Sequence, residues 1–276
     1  MSKQEINYSN PKEIAKYIIQ QTPVGRLDFA LKNLKVLLKE TTLNSPEILK
    51  EIKAYKENHL TPISIKDVKS KVIISALNKD SDEFYYDQRQ KIRFKLGLKC
   101  EVINIQEFES KSETRKKIEQ KLIEYVNKYY KKENTYYNVY FDSIVDKIYV
   151  LISGQYINNA NFCCGEWLSS WELDLNDKKV TGEIKINTIY FEDGNVQFNF
   201  HKNYETKNNG KDDESIAKDL IDFIEQNENE IQKNLETKNE NIWEEYIKPL
   251  RKRISFIGNE MNWSLDQIQF SQNQKK

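Results

Sequence analysis

The sequence predicts an α+β fold: an N-terminal helical stalk, a central antiparallel β-sheet, a long helix packed across that sheet, and a flexible amphipathic C-terminal tail. Three observations carry this expectation. Apolar residues recur at helical spacing near both ends of the chain. The middle is a succession of short aromatic-rich segments separated by turn residues, the pattern of a meander. The last thirty residues mix basic and apolar side chains without enough apolar neighbours to build a core.

The stalk is expected over residues 1–60. Ile14, Tyr17, Ile18 and Gln21 would share one helical face that ends at Pro23, and Leu27, Leu31, Leu34 and Leu38 form the next. Ser45-Pro46-Glu47 reads as a helix start, with Ser as cap and Pro at the first helical position. A third helix then runs to about Asn58.

Residues 61–213 are expected to supply the sheet. Strands begin at Thr61 and continue to about Lys95; a helix over about 114–131 then carries Ile118, Leu122, Tyr125, Val126 and Tyr129 in one stripe. Strands return at Tyr137–Phe141, Lys147–Ile152, Gly165–Leu175, Val180–Tyr190 and Val196–Phe200. The last two are joined around Asp193-Gly194-Asn195, a strong hairpin signal because Gly accepts the positive φ of a tight turn.

A long helix is expected over 214–247, with Ile216, Leu220, Phe223, Ile224, Ile231, Leu235, Ile242 and Tyr246 in its stripe. At about 1.5 Å per residue it exceeds what a small sheet needs for cover, so the stripe is expected to reach a second subunit's sheet. Pro249 should end or kink this helix. Leu250, Ile254 and Ile257 then make one face of a short helix that Gly258 stops.

Composition excludes several classes. Lys plus Arg and Asp plus Glu each number 43, so no global field steers the chain to nucleic acid or to a membrane. No apolar run approaches the roughly 18 residues of a membrane span, and Met1–Glu5 does not read as a signal peptide. Three cysteines, two of them adjacent at Cys163-Cys164, form no disulfide framework and point to a reducing, cytoplasmic setting.

Catalytic chemistry finds no purchase either. The closest two of the eight glycines, Gly154 and Gly165, lie too far apart for a phosphate-binding loop. His59 and His201 have no sequence neighbours that read as a metal site or a triad. Cys163-Cys164 lacks the spacer of a redox pair and reads as core. Glu192-Asp193 reads as turn. The aromatic strands, Trp167, Trp171, Tyr190 and Phe191, read as sheet packing rather than base stacking. The expectation is no enzyme, no cofactor, no metal and no nucleic acid.

Several segments resemble one known family. Tyr190-Phe191-Glu192-Asp193-Gly194-Asn195-Val196-Gln197 followed by His201-Lys202 is similar to a hallmark hairpin of the actin filament capping protein α subunit. Asn161-Phe162, Gly165, Trp167 and Trp171 resemble its N-F-x-x-G-x-W-x-S-x-W motif. Tyr55 with Leu60-Thr61-Pro62-Ile63, then Lys71–Ile74 and Phe84–Leu96, resembles its middle block, and Thr22-Pro23-Val24-Gly25 its first helical hairpin. The match is poorest after Gly97. The resemblance implies the capping protein fold, in which two similar subunits form one ten-stranded sheet.

It also implies a function. The dimer would cap the fast-growing barbed end of an actin filament, blocking subunit addition and loss, in the cytoplasm and at the cytoskeleton. Residues 248–276 would form a basic amphipathic tentacle, whose six basic and two acidic residues give a net charge of +4. Lys248, Arg251 and Lys252 share a helical face. With Arg253, Trp263, Leu265 and Ile268 they are the implied actin contacts. Pro249 interrupts the basic run, and Gly258 and Glu260 stand where the family has basic residues, which implies weaker attraction. The implied partners are the barbed end and either a capping protein β subunit (a heterodimer) or a second copy (a homodimer), with phosphoinositide lipids as competitors for the basic segment. A second reading is a scaffold or adaptor subunit that caps the short actin-like filament of dynactin or associates with phosphoinositides.

Overall fold

The computed structural model describes residues 10–158, 160, 162–191 and 196–238. Four helices open the chain: α1 (Pro11–Gln21), α2 (Leu27–Leu37), α3 (Glu40–Leu43) and α4 (Pro46–Asn58). Asn10 caps α1, its side chain accepting from the Lys12 backbone N–H at 3.0 Å, with Pro11 at the first helical position. The bundle core is Ala15, Ile19, Leu27, Leu34, Leu43, Ile48 and Tyr55.

Two local expectations are corrected here. The buried face of α1 is Ala15 and Ile19, with Ile18 beside them, whereas Tyr17 and Gln21 face solvent. Packing against α4 selects the narrower stripe, and both candidate stripes have helical spacing. Ser45 precedes α4 but makes no side-chain cap hydrogen bond.

Beyond the bundle, β1 (Pro62–Ile63) and β2 (Val72–Ile73) form a short antiparallel ribbon. It packs on a second antiparallel sheet of β3 (Phe84–Asp87), β4 (Ile92–Leu96) and β5 (Val102–Glu107), around Ile65, Val72, Ile74, Tyr85, Phe94 and Leu96. The sequence reading had no strand at β5. Its register shifts between Lys95 and Leu96, and three of its residues in a row are exposed, so the usual alternation is lost.

Helix α5 (Glu113–Tyr129) starts at Ser112, whose hydroxyl accepts from the Arg115 N–H at 3.2 Å. Its stripe Ile118, Leu122, Tyr125, Val126 and Tyr129 is buried as the periodicity predicts. The main sheet then follows as an uninterrupted meander: β6 (Thr135–Asp142), β7 (Lys147–Asn158), β8 (Cys163–Asp174), β9 (Lys179–Tyr190) and β10 (Val196–Lys207), every neighbour antiparallel. The β9–β10 hairpin pairs Tyr190 with Val196; its tip, Glu192 to Asn195, lies outside the described residues.

Helix α6 (Asp213–Lys238) closes the described fold with 26 residues, about 39 Å at 1.5 Å per residue. Ala217, Leu220, Ile221, Ile224, Ile231 and Leu235 bury into one core with α5 and with Val150, Ile152, Trp167, Trp171, Ile184 and Ile186 of the sheet. The expectation that the stripe reaches a second subunit's sheet concerns its continuation through Ile242 and Tyr246. Over the described residues the chain's own sheet and α5 cover the stripe, because α5 lies beside α6 and widens the apolar platform. Ile242 and Tyr246 lie outside the described residues.

The sheet is covered on both faces over β7 and β8 but not over β10. The helices cover one face. Leu60 and Ile73 pack on Leu151 and Leu168 of the other, and Val24 packs on Cys164 and Ile189. Strand β8 is accordingly buried almost without interruption through Trp171, whereas no β10 residue is fully buried.

Candidate functional site: a free sheet edge, a locked helix and the tail beyond it

The implied actin contacts Lys248, Arg251, Lys252, Arg253, Trp263, Leu265 and Ile268 all lie outside the described residues. What the structure provides is the platform from which that segment departs. Helix α6 carries the chain toward it, and α5 lies alongside in the same direction. The Thr114 hydroxyl donates to Asp213 at 2.5 Å, Lys121 reaches Glu214 at 2.6 Å, and Lys128 reaches Glu225 at 3.2 Å.

Midway along the described helix the contact becomes a buried polar knot. The Tyr125 hydroxyl donates to Glu228 Oε2 at 2.5 Å, and the Tyr130 hydroxyl donates to the same oxygen. Tyr129 donates to Glu225. The Glu228 carboxylate is fully buried. A buried carboxylate is costly unless donors meet it, so these phenols specify the rotation of α6 about its axis. Sequence reading put Tyr125 and Tyr129 in the apolar stripe and missed their second role.

Strand β10 is the edge of the five-stranded sheet. Toward α6 it presents Phe198, Phe200 and Tyr204, all half-buried. The Tyr204 ring lies 5.6 Å from Trp171, and burial, then Glu230 and Glu228, push its phenol up to about 12. Toward the other face it presents Gln197, Asn199, His201, Asn203 and Glu205. His201 lies 3.1 Å from Glu183, and Lys179 lies 3.0 Å from Glu205. The outer row of backbone groups has no strand beside it among the described residues.

The stalk meets the sheet through His59, which follows α4. Its Nδ1 lies 2.7 and 2.9 Å from the two oxygens of Glu166, and Asn187 Nδ2 donates to Glu166 Oε1 at 2.8 Å. Gln155 donates to the His59 carbonyl at 3.0 Å. The carboxylate partner of His59 stands 107 residues away and left no trace in the sequence pattern. Beside this junction Arg26 lies 4.3 Å from the ring centres of both Phe29 and Phe191. Phe29, Val36 and Leu37 of α2 are exposed. Cys163 and Cys164 are buried as expected, and burial pushes the Cys164 thiol up.

The architecture is that of a known family. The family model described as F-actin capping protein alpha subunit matches residues 15–273. The chain belongs to the F-actin capping protein alpha subunit family. Within that family it is 22% identical to the F-actin-capping protein subunit alpha of Arabidopsis thaliana, over 97% of this chain and 92% of the relative. It is 26% identical to that of Saccharomyces cerevisiae, over 91% of each. A solved structure, the homodimeric actin capping protein alpha subunit from Plasmodium berghei, superposes with a TM-score of 0.63 at 22% identity. That superposition covers 82% of this chain and 90% of the other, and it shows the shared capping protein fold. Trp167 and Trp171 of the family-like motif lie fully buried, with the Trp171 indole N–H donating to the Ser169 hydroxyl at 2.6 Å.

Proposed function

We propose that this chain is one subunit of a dimer that sits on the barbed end of an actin filament and blocks both addition and loss of subunits there. The observation that carries the reading is the family match through residue 273, which includes the basic tail as well as the folded platform. In this reading Lys248, Arg251, Lys252 and Arg253 meet an acidic actin surface, and Trp263, Leu265 and Ile268 seat the apolar side of the tail. The action is steric and electrostatic; no group undergoes chemistry.

The second subunit docks along β10, where strand pairing would satisfy the outer row of backbone groups and extend the sheet. The exposed apolar residues of α2 offer it a further surface. That subunit is a β subunit or a second copy of this chain. Light scattering on the chain expressed alone separates the two. A mass near twice 32.8 kDa gives self-pairing, and aggregation relieved by co-expressing a β subunit gives a heterodimer. The same basic segment would bind phosphoinositide headgroups, each nearby Lys or Arg contributing about 1 kcal/mol, in competition with actin. The protein acts in the cytoplasm, at the cytoskeleton.

Seeded actin elongation tests the proposal. The intact dimer should stop barbed-end growth at substoichiometric concentration, and a dimer lacking residues 248–276 should lose most of that inhibition. Equal inhibition by the truncated form would remove the tail from the mechanism. Binding to a dynactin-type filament with no effect on actin growth would favour the adaptor reading.

A further inference from the structure

The turn between β3 and β4 is held firmly against the main sheet. The Gln88 side chain donates to the Phe141 carbonyl at 2.8 Å and accepts from the Phe141 N–H at 3.0 Å. Asp87, buried at the end of β3, accepts from the Gln90 N–H at 3.1 Å and from Gln90 Nε2 at 3.3 Å. Between them Arg89 lays its guanidinium over the Tyr137 ring, 4.7 Å from the ring centre. A planar cation stacked on an aromatic face keeps its donors aimed in one direction.

The loop between β1 and β2 meets that turn at Ser70. Arg89 Nη2 donates to the Ser70 hydroxyl oxygen at 3.2 Å, and Gln90 Nε2 donates to the Ser70 carbonyl at 3.0 Å. Nη2 also lies 3.7 Å from Asp87 Oδ2. Arg89 Nε, beside Nη2 on the same edge of the guanidinium, is buried and has no hydrogen-bond partner among the described residues. Such an edge suits two oxygens of one anion, and a hydroxyl fills only half of it. Ser70 is exposed, as are Lys66, Lys69 and Lys71 of its loop. With Arg89 they make four basic residues against Asp67 and Asp87, a net charge of +2.

We propose that Ser70 is a phosphorylation site whose phosphate is clasped by Arg89. A phosphate on that hydroxyl carries a charge of about −2 at pH 7 and three strong acceptor oxygens. One oxygen takes the Nη2 N–H and a second takes the Nε–H, the paired arrangement that a hydroxyl cannot make. The local net charge of +2 balances the dianion. Asp87 keeps both of its Gln90 donors when Nη2 turns to the phosphate. The site stands apart from β10 and from residues 248–276, so it adds to the capping reading without resting on it.

The transfer requires ATP and a serine kinase. The Ser70 hydroxyl oxygen attacks the γ-phosphorus, an O–P bond forms as the bond from that phosphorus to the β–γ bridging oxygen breaks, and ADP leaves. The hydroxyl proton passes to the catalytic carboxylate of the kinase. Lys66, Lys69 and Lys71 around the acceptor suit a kinase whose substrate cleft is acidic. The loop is carried on strands of two residues each, so a kinase can lift Ser70 from the turn by breaking the hydrogen bonds from Arg89 and Gln90.

The test uses the full-length chain in its dimer. Phosphoserine is installed at position 70 during synthesis, and the phosphate is titrated by phosphorus NMR, where a free phosphoserine has its second pKa at about 6. In the native protein it should titrate about one pH unit lower than in the same chain in urea, because the arginine favours the dianion. Arg89→Gln should remove most of that difference and Lys69→Gln little of it. Equal midpoints in the native and unfolded chains overturn the clasp, a comparison that needs no variant to fold. The unmodified dimer is then incubated with an extract of the cells that make it and ATP labelled on the γ-phosphate. Label should map to Ser70 and disappear in Ser70→Ala. No label at Ser70 overturns the modification, and inorganic phosphate that shifts the Arg89 side-chain resonance of the unmodified chain would then assign the edge to a free anion.

Discussion

At the scale of single residues, the clearest constraint is Gly182. It pairs with Trp171 on β8 and Tyr204 on β10, and a Cβ built there would lie 2.1 Å from Trp171 Cε3. The indole therefore rests on bare backbone. Gly182→Ala should destabilise the fold by about 1–3 kcal/mol, read as a lower denaturant midpoint, because the packed indole has nowhere to move. Trp171→Ala should cost more, about 3–5 kcal/mol, through the cavity it leaves. Gly25 is a second such position, at φ +76° with its pro-Cβ site 2.8 Å from Ile157. The thiols give a simpler expectation. Burial raises the pKa of Cys100 and Cys164, so less thiolate is present at any pH, and Cys163 is buried too. Iodoacetamide at pH 8 should leave all three unmodified in the native protein and alkylate all three after denaturation. Sequence reading anticipated buried Trp167, Trp171 and Cys163-Cys164, since large apolar side chains within a strand have few places to go. The need for glycine opposite Trp171 was not legible, because the two residues meet only across a strand register.

Among elements, the parallel pair α5 and α6 fixes the position of the last described helix. Their apolar faces supply adhesion, but apolar contact alone tolerates rotation and sliding. The Tyr125 and Tyr130 hydroxyls on Glu228, with Tyr129 on Glu225, fix both. Tyr125→Phe keeps the ring and removes one donor from a buried carboxylate. It should destabilise by about 1–3 kcal/mol in chemical denaturation while leaving the circular dichroism of the native state unchanged. Tyr125→Phe with Glu228→Gln should cost less than the sum of the two singles, since the neutral amide no longer demands that donor. Helix α5 was legible nearly to its ends because its stripe recurs over five positions. Strand β5 was not, because a register shift breaks its period. Both candidate stripes of α1 fit a helix, and only contact with α4 chose between them.

For the whole molecule, the asymmetry of the sheet matters most. One edge, β6, is backed by β2 and β3, while the other, β10, ends the sheet with half-buried aromatic residues toward the helices. A chain with that edge should gain stability from a partner, so the apparent melting temperature should rise with protein concentration. Capping should weaken as salt is added, because the net +4 of residues 248–276 attracts an acidic surface over about one Debye length. Elongation assays across a salt series check this; capping that is indifferent to salt would require an apolar mechanism. The sequence by itself determined the order of the longer helices and strands, the meander and the family, because periodicity and turn chemistry act between near neighbours, whereas the short α3 and β5 escaped it. Only the tertiary structure decided that α5 lies beside α6 and widens its platform, that His59 meets Glu166, and that phenols from α5 clasp a buried carboxylate of α6. Those contacts join residues about a hundred positions apart, and nothing local in the chain encodes which distant side chain will arrive.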